Sequence, residues 1–250
     1  MILKKDIQER KKMLIAVPSK NRAGLTTTEK ILKSAVFFVP ENEAHNYEKF
    51  LSNEVVKVPN NVRGITPTRN WILRNNKEKR VVFIDDDVKR CGWVKMKERN
   101  AEYIEIKTET FWINEWMKLF DVCEQMNYKM WGLKTEGAPR SVYPNKPFNF
   151  KRYITASCMG IINDGEYLFD ERFVVKEDYE IGLRHMRDKG GVLGVNYIYW
   201  ENEHWDKEGG CKDYRTIDVE IAAIKLLNEL YPGMIRKAKR KANKFTIQLT

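Results

Sequence analysis

Residues 79 to 90 read KRVVFIDDDVKR. The run Val81, Val82, Phe83, Ile84 has the composition of a buried strand, and Asp85, Asp86 and Asp87 follow it directly. Three adjacent carboxylates repel one another, and low-dielectric surroundings raise the cost unless cations or hydrogen-bond donors compensate them. On an extended strand end, residues i and i+2 point to the same side. Asp85 and Asp87 are therefore expected to converge on one point while Asp86 faces away. Two hard oxygen ligands with open positions suit Mg2+ or Mn2+, which is usually held by one or two carboxylates plus substrate phosphates. The plainer alternative is a solvated acidic turn. Position favours the metal, because ligands of parallel sheets sit beyond the carboxyl ends of the strands.

Three other constellations carry chemistry. VPSKNRAG ends the first apolar run, where Pro18 and Ser19 are placed to meet a nucleotide and Arg22 to pair with phosphate; an ordinary loop explains it equally. RGITPTRNW sets Arg63, Arg69 and Asn70 beside a helix start, where free N–H groups and the dipole favour anions; surface ion pairing would also account for those arginines. In FVVKEDYEIGLRH, Glu177 and Asp178 open a helix. They either complement its dipole, or one is a general base that takes a proton from an acceptor hydroxyl. Finally His204 follows a strand beside Trp205, as a structural residue or as a further metal ligand.

The elements that must hold these residues alternate. KMLIAVP, AVFFVP, EVVKVP and KRVVFI read as strands, separated by helical TTTEKILKSA, NEAHNYEKFL and TPTRNWILRNN. Thr26 and Glu29 have capping-box spacing, and Thr66 with Pro67 reads as an N-cap followed by the first helical position. Strands joined by helices of about ten residues imply βαβ units and a mainly parallel sheet. Further on, Trp112, Trp116, Leu119, Phe120 and Cys123 fall at helical spacing and read as core. KMWGLK, RYITASCMGIIN and VLGVNYIYW read as strands, with Asn163-Asp164-Gly165 as a turn. KEDYEIGLRHMRDKGG reads as a helix closed by Gly190 and Gly191, and DVEIAAIKLLNELYP as an amphipathic helix before the basic GMIRKAKRKANK.

The chain has 250 residues, 42% of them hydrophobic, enough for one sizeable α/β domain or two small ones. Lys plus Arg number 45 against 35 for Asp plus Glu, so the net charge is +10. That excess favours a polyanionic partner, or serves solubility alone. Cys91, Cys123, Cys158 and Cys211 form no C-x-x-C pair, which argues against a zinc site or disulfide framework and for a reducing cytosol. The charged opening MILKKDIQERKK is unlike a signal peptide, and no apolar run approaches the ~18 residues of a membrane span.

In order along the chain, PSKNR, TRNW, the strand ending in DDD, the ED pair and the late His204 resemble the GT-A glycosyltransferases. More narrowly, VPSKNRAG, FIDDD, the compact size and the basic charge are similar to the TET/JBP-associated glycosyltransferases of phages and kinetoplastids. The resemblance implies a GT-A (Rossmann-like) α/β fold with a mixed, mainly parallel sheet flanked by helices. It implies a single domain over 1–250, with a nucleotide-binding half at 13–90, an acceptor half at 91–215, and a C-terminal helix and basic tail at 216–250. It also implies an inverting transfer, dependent on Mn2+ or Mg2+, from a nucleotide-sugar such as UDP-glucose to a 5-hydroxymethylpyrimidine in DNA, in the cytoplasm (the host's, if phage-encoded). Pro18, Ser19, Arg22, Arg63, Arg69, Asn70, Asp85 and Asp86 would then hold the donor. Asp87, Asp85 and His204 would hold the metal. Asp178 would be the base, with Glu177 its fallback. Arg140, Lys146, Lys151 and Arg152 around Tyr143, Phe148 and Phe150 offer a surface for DNA backbone and bases, or form a solvated loop that buries its aromatics. The rival functions are a GT-A enzyme with a polysaccharide, lipid-linked or protein acceptor, and a metal-dependent nuclease built on the Asp cluster.

Overall fold

In the computed structural model, residues 13–97, 100–133, 146–203, 215–237 and 247–249 are described. The four apolar runs form parallel strands β1 (Leu14–Pro18), β2 (Val36–Pro40), β3 (Val55–Val58) and β4 (Arg80–Ile84). They join β7 (Met130–Leu133), β8 (Phe148–Asn149), β9 (Cys158–Ile162) and β10 (Leu193–Val195) in one eight-stranded sheet of order β3-β2-β1-β4-β9-β7-β10-β8. Strands β9 and β8 run against the rest, so the sheet is mixed but mainly parallel. A three-stranded sheet holds β5 (Val88–Lys97), β6 (Asn100–Glu105) and β11 (Ile198–Asn202), and β12 (Ile235–Lys237) pairs with β13 (Ile247–Leu249).

Helices cover both faces of the large sheet, so β4 is buried along its whole length. Its alternation assigns the faces: Val82 and Ile84 meet Trp112, Trp116, Leu119 and Phe120 of α3 (Glu109–Gln125). Val81 and Phe83 meet Ile72 and Leu73 of α2 (Ile65–Asn75) and Ile181 of α4 (Glu177–Lys189). On the α3 side the tryptophans pack on one another, Trp112 lying 5.3 Å from Trp200 and Trp116 lying 6.4 Å from Trp131. The remaining helices are α1 (Ala44–Glu48) and α5 (Ile217–Leu230). No helix among the described residues is long and apolar enough to cross a membrane.

Several local expectations are corrected. TTTEKILKSA forms only a 3-10 turn at Thr28–Lys30, because Thr27 and Thr28 direct their N–H groups to Asp86 O instead of a helix. Helix α1 is cut to five residues. The cap of α2 is Gly64, at φ +96°; Thr66 lies inside the helix, its hydroxyl bonded to Phe173 O at 2.6 Å, and Pro67 sits within the first turn. In RYITASCMGIIN only Cys158–Ile162 is strand. VLGVNYIYW divides between two sheets at Asn196, whose amide donates to Lys146 O and accepts from Arg152. The β5–β6 hairpin was not foreseen.

Gly160 on β9 lies opposite Trp131 on β7, and a Cβ there would fall 2.1 Å from Trp131 Nε1. Trp131 is fully buried and cannot move aside cheaply. Gly160→Ala is therefore expected to destabilise the protein by about 1–3 kcal/mol, read as a fall of several degrees in Tm.

Candidate active site

Strand β4 stops at Ile84, and Asp85–Asp87 form the turn that feeds β5. Because the backbone turns, the alternation of an extended strand does not apply. Asp86 and Asp87, not Asp85 and Asp87, meet on one group: Arg22 Nη1 donates to Asp86 Oδ1 at 2.6 Å and to Asp87 Oδ2 at 3.2 Å. Asp86 also accepts from Ser19 Oγ, which lies 2.8 Å from the Tyr47 hydroxyl. Tyr47 in turn accepts the Arg22 N–H at 3.0 Å. The loop after β1 and helix α1 are thus locked to the acidic turn. Thr27 and Thr28 brace it from beneath, their hydroxyls donating to Val88 O and Asp85 O at 2.8 and 2.7 Å.

Asp85 takes a different partner. Asn202 Nδ2, at the end of β11, donates to Asp85 Oδ2 at 2.9 Å. Glu203 follows and donates its N–H to Asp87 O at 2.8 Å. His204 lies outside the described residues.

Asp87 is the under-compensated member. Burial, with the adjacent Asp86 charge, pushes its carboxyl up to about 6 against the pull of Arg22. Its Oδ1 is buried and has no hydrogen-bond partner among the described residues. An orphaned, hard carboxylate oxygen next to further carboxylates fits a divalent cation such as Mg2+ or Mn2+. Among the described residues no three His, Cys, Asp or Glu side chains form a closed metal cage. The donor set suits an ion shared with a phosphate ligand.

The second centre is built at the start of α4. Glu177 is buried and ion-paired with Arg69 of α2, whose guanidinium also lies 5.8 Å from the Phe83 ring and 5.6 Å from that of Phe169. Asp178 is half-buried; its Oδ2 accepts from Ala156 N at 3.2 Å and its Oδ1 from Tyr179 N at 2.9 Å. Burial raises both carboxyls, the Asp178 charge adding to the rise at Glu177 and Arg69 opposing it at both. The next residue, Ser157, accepts the Asp85 N–H at 3.2 Å. Consecutive residues 156 and 157 therefore hold the two carboxylate centres together.

Other residues fall elsewhere. Pro18 ends β1. Asn70 is buried against the Phe169–Glu171 loop, accepting Phe169 N at 2.8 Å and donating to Phe169 O at 2.9 Å and Glu171 Oε1 at 2.8 Å. Arg63 is exposed, with its Nε 3.4 Å from Asn60 O. Tyr47, Thr27, Thr28, Asn202 and the 156–157 pair were not anticipated; their roles depend on contacts across the sheet that no local pattern encodes.

With this geometry in place, the sequence matches the TET-Associated Glycosyltransferase family over residues 13–210. The chain belongs to that family. It is an enzyme, a glycosyltransferase. Similar solved structures include Staphylococcus aureus TarS 1–349 in complex with UDP-GlcNAc, with a TM-score of 0.52 and 14% identity over 87% of this chain and 67% of that one. Glucosyl-3-phosphoglycerate synthase from Mycobacterium tuberculosis, in complex with phosphoglyceric acid, gives 0.54 at 10% identity, over 95% and 88% of the two chains. The same synthase in complex with Mn2+, UDP and glucosyl-3-phosphoglycerate gives 0.50 at 10%, over 90% and 83%. Such identities speak for the fold, which is GT-A. No curated protein sequence matches. The family match ends before α5, so that helix lies outside it.

Holding Asp87 ionised in its buried site costs at most about 3 kcal/mol at pH 7.5. Its carboxyl is raised above the unfolded value, so the cost builds between that value and about 6, is full above it, and vanishes at lower pH. Asp87→Asn is expected to raise the Tm of the metal-free protein at pH 7.5, and the gain should shrink at pH 5. Thermal melts at the two pH values check this.

Proposed function

We propose that this glycosyltransferase moves a sugar from a nucleotide-sugar, UDP-glucose, to the hydroxyl of a 5-hydroxymethylpyrimidine in DNA, inverting the anomeric centre. The observation that carries the reading is the tie through residues 156 and 157, which sets a carboxylate able to accept a proton beside an acidic turn suited to a metal-bound diphosphate. Similar folds carrying UDP-GlcNAc, or UDP with Mn2+ and a glucosyl product, support a uridine donor and a divalent ion. The family's TET association and the net charge of +10 support a DNA acceptor. So do Lys146 and Lys151, exposed beside the partly exposed rings of Phe148 and Phe150. Arg140 and Tyr143 lie outside the described residues. A duplex base would have to be flipped out to be reached. UDP-sugar and DNA are met together in the cytoplasm, the host's if the chain is phage-encoded.

In this reading Ser19, Arg22 and Asp86 form the floor of the donor site, and Arg22 can pass from the carboxylates to a phosphate. Arg69 and Asn70 lie behind it, Arg69 fixing Glu177 and Asn70 the loop at Phe169, while exposed Arg63 would reach the donor from the surface. Mn2+ or Mg2+ held through the unpartnered Oδ1 of Asp87 would supply charge stabilisation to the departing diphosphate, with Asp85, which Asn202 orients separately, and His204 as further ligands. Glu177 is occupied by Arg69, which leaves Asp178 as the base. Its carboxylate takes the acceptor's hydroxyl proton as that oxygen bonds to the anomeric carbon. The carbon–oxygen bond to the diphosphate breaks on the opposite face, and UDP leaves. One displacement gives inversion.

The test is intact mass of oligonucleotides containing 5-hydroxymethylcytosine or 5-hydroxymethyluracil after incubation with Mn2+ and a panel of sugar nucleotides. A gain of one hexose from UDP-glucose is expected. Donor hydrolysis without a gain on DNA would move the acceptor to another class, and DNA cleavage without donor would replace the transferase by a nuclease. Asp178→Asn should keep UDP binding while transfer falls by about 10²–10⁴-fold; undiminished transfer would place the base elsewhere.

A further inference from the structure

The residue before the acidic pair, Lys176, caps α4 with left-handed backbone angles, φ +63° and ψ +23°. Lysine adopts that region reluctantly, so surrounding contacts must hold it there. Its side chain is 6% exposed and ends 2.8 Å from Glu220 Oε2 on α5, which is equally buried. Glu220 also accepts from Arg215 Nε at 2.6 Å, and the Lys176 ammonium lies 5.1 Å from the Tyr179 ring. A buried ion pair is a costly way to join two helices that apolar contacts could join as well. Those apolar contacts are present: Phe173, Val175 and Leu183 pack on Ala223, Leu227 and Tyr231. The ion pair therefore calls for a positional reason.

We propose that the Lys176–Glu220 pair is a positioning latch, by which the C-terminal helix holds the left-handed turn that aims Asp178 at the reacting hydroxyl. This rests on the reading of Asp178 as the base. Unwinding the turn would withdraw Asp178 from Ala156 N–H and Glu177 from Arg69. The groups facing Asp178 are Arg69 from α2, the Ala156 N–H ahead of β9, and Lys176, Glu177 and the Tyr179 N–H at the head of α4. Arg69, Lys176 and the two N–H groups favour its ionised form, while burial opposes it. Helix α5 lies beyond the family match, so this chain supplies the support from its own C-terminal part.

Steady-state kinetics of Glu220→Gln and Lys176→Met, with UDP binding measured by calorimetry, test the latch. Each variant should lower kcat about tenfold with UDP affinity unchanged, and move the acid limb of the kcat/KM profile to higher pH. The double variant should fall no further than either single one. Lys176→Gly permits the left-handed turn without the ammonium, and should recover most of the kcat that Lys176→Met loses. Wild-type kcat and acid limb in folded Glu220→Gln or Lys176→Met, whatever their Tm, or a Lys176→Gly enzyme as slow as Lys176→Met, would overturn the proposal. If Asp178→Asn transfers normally, the assignment of the base has failed. If Asp178→Asn is inactive while those variants match wild type, only the latch has failed.

Discussion

Three consecutive carboxylates at the end of a fully buried strand are the constraint around which this molecule is arranged. Carboxylates beyond β4 cannot be left to repel one another beside an apolar core. The chain answers from three directions. Arg22 and Ser19 come from the loop after β1, Thr27 and Thr28 from the segment beyond it, and Asn202 from the distant β11. Compensation reaches Asp86 most fully, through Arg22 and Ser19, and Asp87 least. The remaining deficit sits on one buried oxygen, Asp87 Oδ1, which has no hydrogen-bond partner among the described residues.

The recruitment also explains local departures from propensity. The Thr-rich segment has helix-start chemistry, but its donors lie within reach of the Asp86 carbonyl, and a non-local demand overrides a weak local preference. The short α1 is explained in the same way: it needs only to bring Tyr47 under Ser19 and Arg22.

What could be read from the sequence follows the range of the interactions involved. Strands β1 to β4, the apolar stripe of α3 and the Gly190 stop of α4 come from periodicity and backbone sterics, and the chain alone reveals them. The acidic turn and the Glu177–Asp178 pair were legible as chemistry because charge at an element's end is conspicuous. Their geometry was not. Whether Asp85 or Asp86 shares a partner with Asp87 depends on where β4 yields to a turn, and that is decided by residues 57 to 117 positions away in the chain. The break at Asn196 and the left-handed Lys176 were hidden for the same reason, since each is set by contacts from another element.

The two carboxylate centres differ in what surrounds them. Near Asp87, burial and the adjacent Asp86 charge outweigh the one guanidinium that faces it, and one oxygen is left without a donor. At α4 the strong cation, Arg69, is bound to Glu177, and Asp178 receives only N–H donors and more distant charge. A carboxylate held by two backbone donors and partly open to solvent keeps lone pairs free for a proton. Interchanging Glu177 and Asp178 would defeat this, since a base clasped by a guanidinium is weakened by the cation that positions it. The order Glu then Asp, with the longer side chain reaching inward to Arg69 and the shorter one left beside Ala156, is therefore the order that the proposed role of Asp178 needs.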